Sequence, residues 1–287
     1  MLSIALLPCA TASVTQNSMT DFQQNARAAE RAMREVFPET PLLRNAHLSE
    51  RFEADIWLKR EDLSPVRSYK LRGAFNAMRK VLAVSPEKRL FVCASAGNHA
   101  QGVAFMCRHF GVRGVIFMPV TTPQQKIQKT RMFGGDAIEI RLTGDYFDDT
   151  LRASQTFCNA EGAYFLSPFD DEDVIEGQAS VAVEIVDQLG TAPDHILLPV
   201  GGGGLSAGVR SYLGPSVTYT FVEPLGGASL KAALETGSPT RLNKVNTFVD
   251  GAAVAQIGVR TFARLSDAAP QDVVLAPEDR ICITMLE

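Results

Sequence analysis

The lysine of a Ser68-Tyr69-Lys70 sequence is the first candidate for chemistry, because it stands between a predicted strand at 55–59 and a predicted helix at 73–83. A lysine in a partly buried turn loses hydration, which lowers its pKa, and its neutral amine can then attack a carbonyl carbon to form a Schiff base. This pattern alone is weak evidence, since most lysines near the end of a strand are simply solvated. Two motifs further along the chain give Lys70 a chemical context.

The second motif is a run of four glycines, namely Gly201, Gly202, Gly203 and Gly204. It follows an apolar run at 196–200, which predicts a buried parallel strand, and it precedes a predicted helix at 205–213. Because glycine lacks a Cβ atom, several backbone N–H groups can converge at the start of this helix, where the helix dipole also favours an anion. The run therefore predicts a phosphate-binding loop.

Two other interpretations of the glycine run are open. One is a flexible surface linker, although a linker would not lie between a buried strand and an amphipathic helix. The other is a dinucleotide-binding loop, in which Gly202, Gly204 and Ala207 fit a loose G-x-G-x-x-A pattern and Glu223 ends the next strand about where an acidic residue would bind a ribose. The dinucleotide interpretation uses only part of the run and leaves Lys70 without a role.

The third motif is a turn of mostly small residues between a predicted strand at 89–93 and a helix whose apolar residues recur at helical spacing. The turn consists of Ser95, Ala96, Gly97, Asn98 and His99. Small side chains let a ligand reach the backbone, and the free N–H groups at the start of a helix suit a carboxylate. Asn98 is either a cap of this helix or a donor to a ligand oxygen. The lysine, the phosphate loop and the carboxylate-binding turn together predict a pyridoxal phosphate enzyme that acts on an amino acid.

Strands and helices alternate along the chain, which predicts an α/β fold with parallel sheets covered by helices. Further strands are predicted at 114–118, 137–140, 163–166, 217–223 and 272–275. Further helices are predicted at 123–133, 146–159, 174–189, 228–236, 259–265 and 277–287. A capping box that begins at Thr20 predicts one more helix, from there to about residue 36.

The motifs occur in an order that resembles the threonine dehydratases, also called threonine deaminases, of the tryptophan-synthase-β-like fold, or fold type II. The resemblance extends from about residue 40 to the last residue. The matching segments are 59–62, 68–73, 95–104, 168–171, 174–178, 201–204, 222–224 and 249–254. So many motifs in one order make the resemblance specific.

The resemblance implies a role for individual residues. Lys70 would hold the cofactor covalently and remove the α-proton of the substrate, Asn98 would contact the 3′ oxygen of the cofactor, and Gly251 would lie beside its pyridine ring. The cofactor phosphate would be held by Gly201, Gly202, Gly203, Gly204 and Leu205. The substrate carboxylate would be bound by Ser95, Ala96, Gly97, Asn98 and His99. Phe169 is a candidate wall of the substrate pocket.

A cation site is a further expectation from the resemblance. Glu223 begins a segment that binds a divalent ion in relatives such as the serine racemases. Those relatives have an aspartate six residues later, where this chain has Ser229. The sequence thus offers a monovalent or divalent cation only Glu223 and carbonyl oxygens.

The resemblance also implies two parallel-type α/β domains with pyridoxal phosphate in the cleft between them. Residues 90–167 would form a small domain inserted into a large one made of 20–89 and 168–287, and residues 1–19 would be disordered or precede the true start. In the family the chain continues through an E-P-x-G-A segment and a glycine-rich turn that supplies a partner for the pyridine nitrogen. Neither segment is present, nor is the regulatory domain of some members. We therefore expect a C-terminally incomplete fold and weakened cofactor binding.

The implied activity is conversion of L-threonine to 2-oxobutanoate and ammonia, either as the first step of isoleucine biosynthesis or in threonine catabolism. Two alternatives remain: a serine racemase or a dehydratase of serine or hydroxyaspartate, and a remnant that binds ligand without turnover. Serine racemases have a serine where this chain has Ala96, and that serine returns a proton to Cα. Because Ala96 has no proton to give, we expect elimination to dominate over racemisation.

Composition narrows the classes of partner. The chain has 287 residues, 46% of them hydrophobic, and a net charge of −4, so it can bury a core and offers no basic surface for nucleic acid or anionic lipid. No apolar run reaches the ~18 residues that span a bilayer. The five cysteines have no C-x-x-C spacing, which is typical of reduced thiols in the cytoplasm. The expected partners are an amino-acid substrate and, at full length, further copies in a dimer or tetramer.

Overall fold

A computed structural model describes residues 19–286. The helices are α1 (Asp21–Met33), α2 (Ala46–Phe52), α3 (Lys70–Val84), α4 (Asn98–His109), α5 (Gln124–Gly134), α6 (Phe147–Ala160), α7 (Glu172–Leu189), α8 (Gly204–Leu213), α9 (Ser229–Thr236), α10 (Val259–Ala263) and α11 (Glu278–Leu286). The strands are β1 (Leu42–Arg44), β2 (Trp57–Lys59), β3 (Leu90–Ala94), β4 (Arg113–Met118), β5 (Ile138–Leu142), β6 (Tyr164–Phe165), β7 (His195–Pro199), β8 (Thr218–Pro224) and β9 (Val273–Ala276). The predicted strands and helices are confirmed, with ends that differ by up to three residues.

A four-stranded parallel sheet in the order β5-β4-β3-β6 forms the first layer. Both of its faces are covered. Phe91 and Ile116 pack with α3 and α4 on one face, and Val92 and Val115 pack against Cys158 of α6 on the other. Burial on both faces explains the nearly continuous apolar sequences of its central strands. The sheet lies within residues 90–167, whose boundaries as a domain stay a prediction.

A three-stranded parallel sheet in the order β7-β8-β9 forms the second layer. Leu198, Phe221 and Val273 lie on its inner face, in a core shared with α7 and α8. On the other face Leu197 is 67% exposed and Val274 is 50% exposed. The prediction of a buried strand at 196–200 is therefore wrong for one face of that strand, because helices of residues 19–286 cover only the other face.

The expected parallel sheets are confirmed in both layers, and β1 and β2 add a small antiparallel pair. The predicted strand at 55–59 exists as Trp57–Lys59, and its partner Leu42–Arg44 was not predicted. Strands of three residues are too short to show an alternating pattern in the sequence. This pair places Lys59 at the start of the segment that leads to Lys70.

Helix α1 begins with the predicted capping box, since Thr20 accepts from the backbone N–H of Gln23 and the Gln23 side chain accepts from that of Thr20. The expectation for residues 1–19 lies outside the described residues apart from Met19. Across 19–286, we find no helix with the length and apolar character that crossing a membrane requires.

Candidate active site

A turn held by two serine hydroxyls presents Lys70 at the first position of α3. The backbone N–H of Ser68 donates to Ser64 Oγ at 2.9 Å, and Ser64 Oγ donates to the Ser68 carbonyl at 3.0 Å. The backbone N–H of Lys70 donates to Ser68 Oγ at 3.2 Å. Arg67 within the turn has φ of 57°, a left-handed conformation that disfavours non-glycine residues. The hydrogen bonds hold this strained turn and fix where the lysine leaves the backbone.

The Lys70 amine lies between two aromatic rings. Its Nζ atom is 5.4 Å from the ring centroid of Tyr69 and 5.9 Å from that of Phe169, and it donates to the Pro168 carbonyl at 2.7 Å. Burial lowers the pKa of Lys70 from its ordinary value of 10.5 to about 8, because the charged amine loses hydration. The predicted environment of a nucleophilic lysine is thus present in the geometry.

We expect Lys70 to be modified at lower pH than Lys80. Its acetylation rate should rise as the pH rises through about 8, because the neutral amine is the nucleophile and burial holds the pKa of Lys70 near that value. Lys80 is the control: although burial lowers its pKa, hydrogen bonds to Asp173 and Glu176 outweigh this and leave it raised. Competitive labelling with acetic anhydride, read by peptide mass spectrometry, measures both residues. Identical pH profiles would contradict the prediction.

The glycine run connects β7 to α8 and is packed too closely for side chains. Gly203 has φ of 87°, which favours glycine. A Cβ atom on Gly202 would come within 2.1–2.4 Å of the Phe169 ring, and one on Gly201 would be 3.1 Å from Ala252 Cα. In the first turn of α8, the buried Ser206 Oγ has no hydrogen-bond partner among the described residues. The loop therefore combines backbone that carries no side chains, the start of a helix, and a hydroxyl without a hydrogen-bond partner among the described residues.

Phe169 links the lysine to the glycine run. Its ring faces the Lys70 amine and also contacts Gly202. The glycine loop also contacts Ala252, the residue after Gly251. Gly251 itself is exposed, with open space at its Cα atom. Sequence positions 70, 169, 202 and 252 thus meet in one region.

The small-residue turn lies between β3 and α4, and the interpretation of Asn98 as the helix cap is wrong. Gly97 occupies the cap position, without a side-chain hydrogen bond, and Asn98 is the first helical residue with an exposed side chain. Ser95 Oγ accepts from the backbone N–H of Gly97 at 3.2 Å. The amide of Asn98 is thus left for the other interpretation, a donor to a ligand oxygen.

His99 is buried beside the lysine, with Nε2 3.0 Å from the Leu166 carbonyl. Burial, together with the positive charge of Lys70, lowers the pKa of His99 to about 3. The imidazole is therefore neutral at neutral pH, with its Nε2 proton directed to a carbonyl. The imidazole of His99 therefore places no positive charge beside the Lys70 amine.

Glu223 is fully buried and caps α9. Its carboxylate oxygens accept from the backbone N–H groups of Leu230 at 2.8 Å and Lys231 at 3.0 Å. Burial raises its pKa to about 7, although these hydrogen bonds act in the opposite direction. Among residues 19–286, no group of three or more His, Cys, Asp or Glu side chains is arranged to hold a metal ion. The cation site at Glu223 stays a prediction.

A buried ion network beside the site was missed in the sequence. Arg72 is 0% exposed, and its guanidinium bonds to both oxygens of Glu61 and both oxygens of Glu184 at 2.7–2.9 Å. Lys59 Nζ lies 2.6 Å from Glu184 Oε2 and donates to the Thr40 carbonyl at 2.6 Å. The network joins β2, α3 and α7. Its central residue, Arg72, follows Lys70 by two positions on α3. The sequence indicated this network only through the charged residues that stand within two of the matching segments, 59–62 and 68–73.

With this geometry established, comparison with known proteins identifies the family. Residues 34–287 match the family described as "Pyridoxal-phosphate dependent enzyme". The chain belongs to this family. The expected α/β architecture of fold type II is confirmed for this pyridoxal-phosphate dependent enzyme by solved structures of the same fold.

Three relatives illustrate the similarity. The chain is 46% identical over 275 residues to the "L-threonine dehydratase biosynthetic IlvA" of Bacillus subtilis, covering 95% of this chain and 64% of that protein. The processed form of threonine deaminase isoform 2 from Solanum lycopersicum is 37% identical, with a TM-score of 0.81, covering 91% of this chain and 71% of that one. Maize serine racemase is 25% identical, with a TM-score of 0.84, covering 92% and 79%. The chain spans less than two thirds of the length of the curated relatives that it matches.

The residues present fit pyridoxal phosphate. Lys70 offers a partly buried amine of lowered pKa for the aldehyde, and the glycine run offers a helix start for the phosphate. A side chain at Gly202 would collide with Phe169, and one at Gly201 would fit only tightly against Ala252, so the run provides free backbone rather than side-chain donors.

Proposed function

We propose that this enzyme is the catalytic portion of an L-threonine dehydratase, which converts L-threonine to 2-oxobutanoate and ammonia. The observation that carries the proposal is the position of the Lys70 amine over the ring of Phe169, since the same ring contacts the glycine run. The substrate is inferred from the curated relatives, which are named as L-threonine dehydratases at 40–46% identity.

In the proposed mechanism, Lys70 holds the cofactor and, once substrate has replaced it, moves the α-proton. When bound, pyridoxal phosphate supplies an electron sink for the charge that develops at Cα. A pKa of about 8 lies closer to neutral pH than the ordinary lysine value of 10.5, which suits a residue that must both take up and release a proton. The rings of Tyr69 and Phe169, with centroids 5.4 and 5.9 Å from its amine, partly cover it.

The other site residues bind and orient. The backbone N–H groups of 201–205 and the dipole of α8 hold the phosphate. Asn98 would donate to the 3′ oxygen of the cofactor, the turn of Ser95 to His99 would bind the substrate carboxylate, and Gly251 would lie beside the pyridine ring. The neutral state of His99 supports binding rather than proton transfer.

The second candidate is a serine racemase, favoured by the structural match to the maize enzyme. Racemisation requires an acid on the face of Cα opposite Lys70 to return a proton. Ala96, at the position where serine racemases have a serine, has no such group. Elimination is therefore the proposed outcome, and D-serine formed from L-serine by the unaltered protein would favour the racemase.

A ketoacid assay with L-threonine and L-serine tests the function. We expect threonine to be preferred in kcat/KM by no more than about 200-fold, since one methyl group in an apolar pocket discriminates by ~1–3 kcal/mol. Equal values would indicate a general hydroxyamino-acid dehydratase. Cofactor absorbance without any turnover would instead indicate a remnant that binds ligand only.

The physiological setting forms part of the same proposal. The relatives' "biosynthetic" names support isoleucine formation over threonine catabolism. The described cysteines, Cys93, Cys107, Cys158 and Cys282, are all free thiols, which supports a reducing compartment such as the cytoplasm. A dimer or tetramer is the proposed assembly of the full-length protein.

A further inference from the structure

A single turn of α7, residues 175–179, lies between the two helices that begin at the candidate site. Helix α3 begins with Lys70, and helix α8 begins at the last glycine of the phosphate loop. The closest backbone approaches of α7 to these helices, at Gly177 and Gly208, fall within about one turn of these starts. Both contacts occur at glycine, where the backbones approach too closely for a side chain.

On the α3 side, the contact occurs at Gly177. A Cβ atom there would lie 2.6 Å from the Arg72 carbonyl oxygen and 2.8 Å from Gly73 Cα. Real Cβ atoms essentially never come within 3.0 Å of such atoms. Because both are backbone atoms, no side-chain rotation relieves the overlap, and any side chain at 177 must push the start of α3 away from α7.

On the α8 side, the contact occurs at Gly208, one turn after the glycine run. A Cβ atom there would lie 2.5 Å from the Ile175 carbonyl oxygen and 2.9 Å from the Ala179 backbone nitrogen. These are again backbone atoms, now on the opposite side of the same turn of α7. The backbone of one helix thus separates the lysine helix from the phosphate-loop helix.

We propose that Gly177 and Gly208 are positioning residues that set the distance between the Lys70 amine and the phosphate-binding loop. The inference rests on the proposed roles of Lys70 and Gly201–Gly204. A ligand held at two points gains from the second only when the spacing of the two sites matches its own length. A shift of ~1 Å can lower such a gain about 100-fold.

The test compares pyridoxal phosphate with pyridoxal, which has the aldehyde but lacks the phosphate. Dissociation constants for both ligands are measured by absorbance on the wild-type chain and on Gly177→Ala and Gly208→Ala. We expect the advantage of pyridoxal phosphate over pyridoxal to fall by about 100-fold in each variant, with pyridoxal affinity nearly unchanged. Thermal unfolding of each variant is recorded alongside.

Gly114→Ala is the matched control, because Gly114 lies on β4 of the four-stranded sheet, away from α7. Its Cβ atom would lie 2.7 Å from Cys107 Sγ of α4. This variant should lower stability and leave the phosphate advantage intact. If the advantage is unchanged in Gly177→Ala and Gly208→Ala, or if both ligands weaken equally, the glycines have only a structural role and the inference is wrong.

A milder variant covers the case in which these proteins do not fold. A Cβ atom at Gly73 would meet the movable end of Gln178, with Nε2 at 2.4 Å, and the branched side chain of Val174, with Cγ1 at 2.8 Å. Gly73→Ala should therefore reduce the phosphate advantage, and Gln178→Ala added to it should restore the part of that loss that Gln178 causes. No reduction in Gly73→Ala would overturn the inference. Lys70→Ala separates the two proposals: if it binds both ligands like the wild type, the role of Lys70 is wrong, whatever the glycine variants do.

Discussion

Replacing Lys70 with alanine should lower the rate of ketoacid formation by about 10³-fold, the loss expected when a positioned nucleophile and proton carrier is removed. Lys70 is the candidate whose amine combines a pKa of about 8 with contact to Phe169 at the glycine run. The rate is measured with L-threonine at saturating cofactor. The alanine variant should fold normally, because the Lys70 side chain makes one hydrogen bond, to the Pro168 carbonyl.

Lys80→Ala is the matched control, since Lys80 lies on the same helix and pairs with Asp173, which is partly exposed, and with Glu176, which is buried. It should keep its activity. Borohydride reduction of the wild-type protein with bound cofactor, followed by peptide mapping, should find the modification on Lys70. Modification of Lys59 or Lys80 instead would overturn the assignment.

Replacing Glu184 with alanine should lower the free energy of unfolding by about 3–5 kcal/mol, because it leaves Arg72 and Lys59 buried without their shared partner. Glu184 is 0% exposed and contacts both cations at 2.6–2.7 Å. Urea denaturation measures the difference. The control on the same helix is Asp187→Ala, whose exposed ion pair with Arg27 should contribute less than about 1 kcal/mol. Equal losses in the two variants would show that the buried network does not stabilise the fold.

The contribution of Glu184 should also depend on pH. Burial alone would raise its pKa, but the hydrogen bonds and charges of Arg72 and Lys59 outweigh it and lower the pKa from 4.5 to about 2. A carboxylate with a depressed folded pKa stabilises the protein fully above its unfolded pKa. The stability difference between wild type and Glu184→Gln should therefore be constant above about pH 5 and shrink as the pH falls from 4.5 towards 2. A difference that does not change over that range would contradict the assignment.

Much of the fold follows from local sequence. The apolar strands β3 and β4 and the amphipathic helices around them show periodic patterns long enough to predict. The capping box at Thr20 and the glycine run after β7 mark helix starts by their own chemistry. By contrast, β1 and β2 have three residues each, and so short a pairing depends on the contacts around it rather than on periodicity.

The candidate site likewise has features that the residue types set and features that only the folded structure sets. The residue types at Lys70, Asn98 and Gly201–Gly204 indicate their chemistry without a structure, because an amine, an amide and a side-chain-free backbone are intrinsic to the sequence. The pKa of Lys70 is not intrinsic, since it comes from burial between Tyr69 and Phe169. The neutral state of His99 likewise comes from burial and the nearby Lys70.

The sequence by itself determined the fold class, the family resemblance and the residues that carry the candidate chemistry, since these depend on residue type and on local order. Only the tertiary structure showed that Arg72, already paired with Glu61, reaches Glu184 across 112 positions of the chain, and that the backbone of α7 separates the lysine helix from the glycine-loop helix. Such contacts join residues far apart in the chain. They depend on how helices pack, which local patterns do not encode.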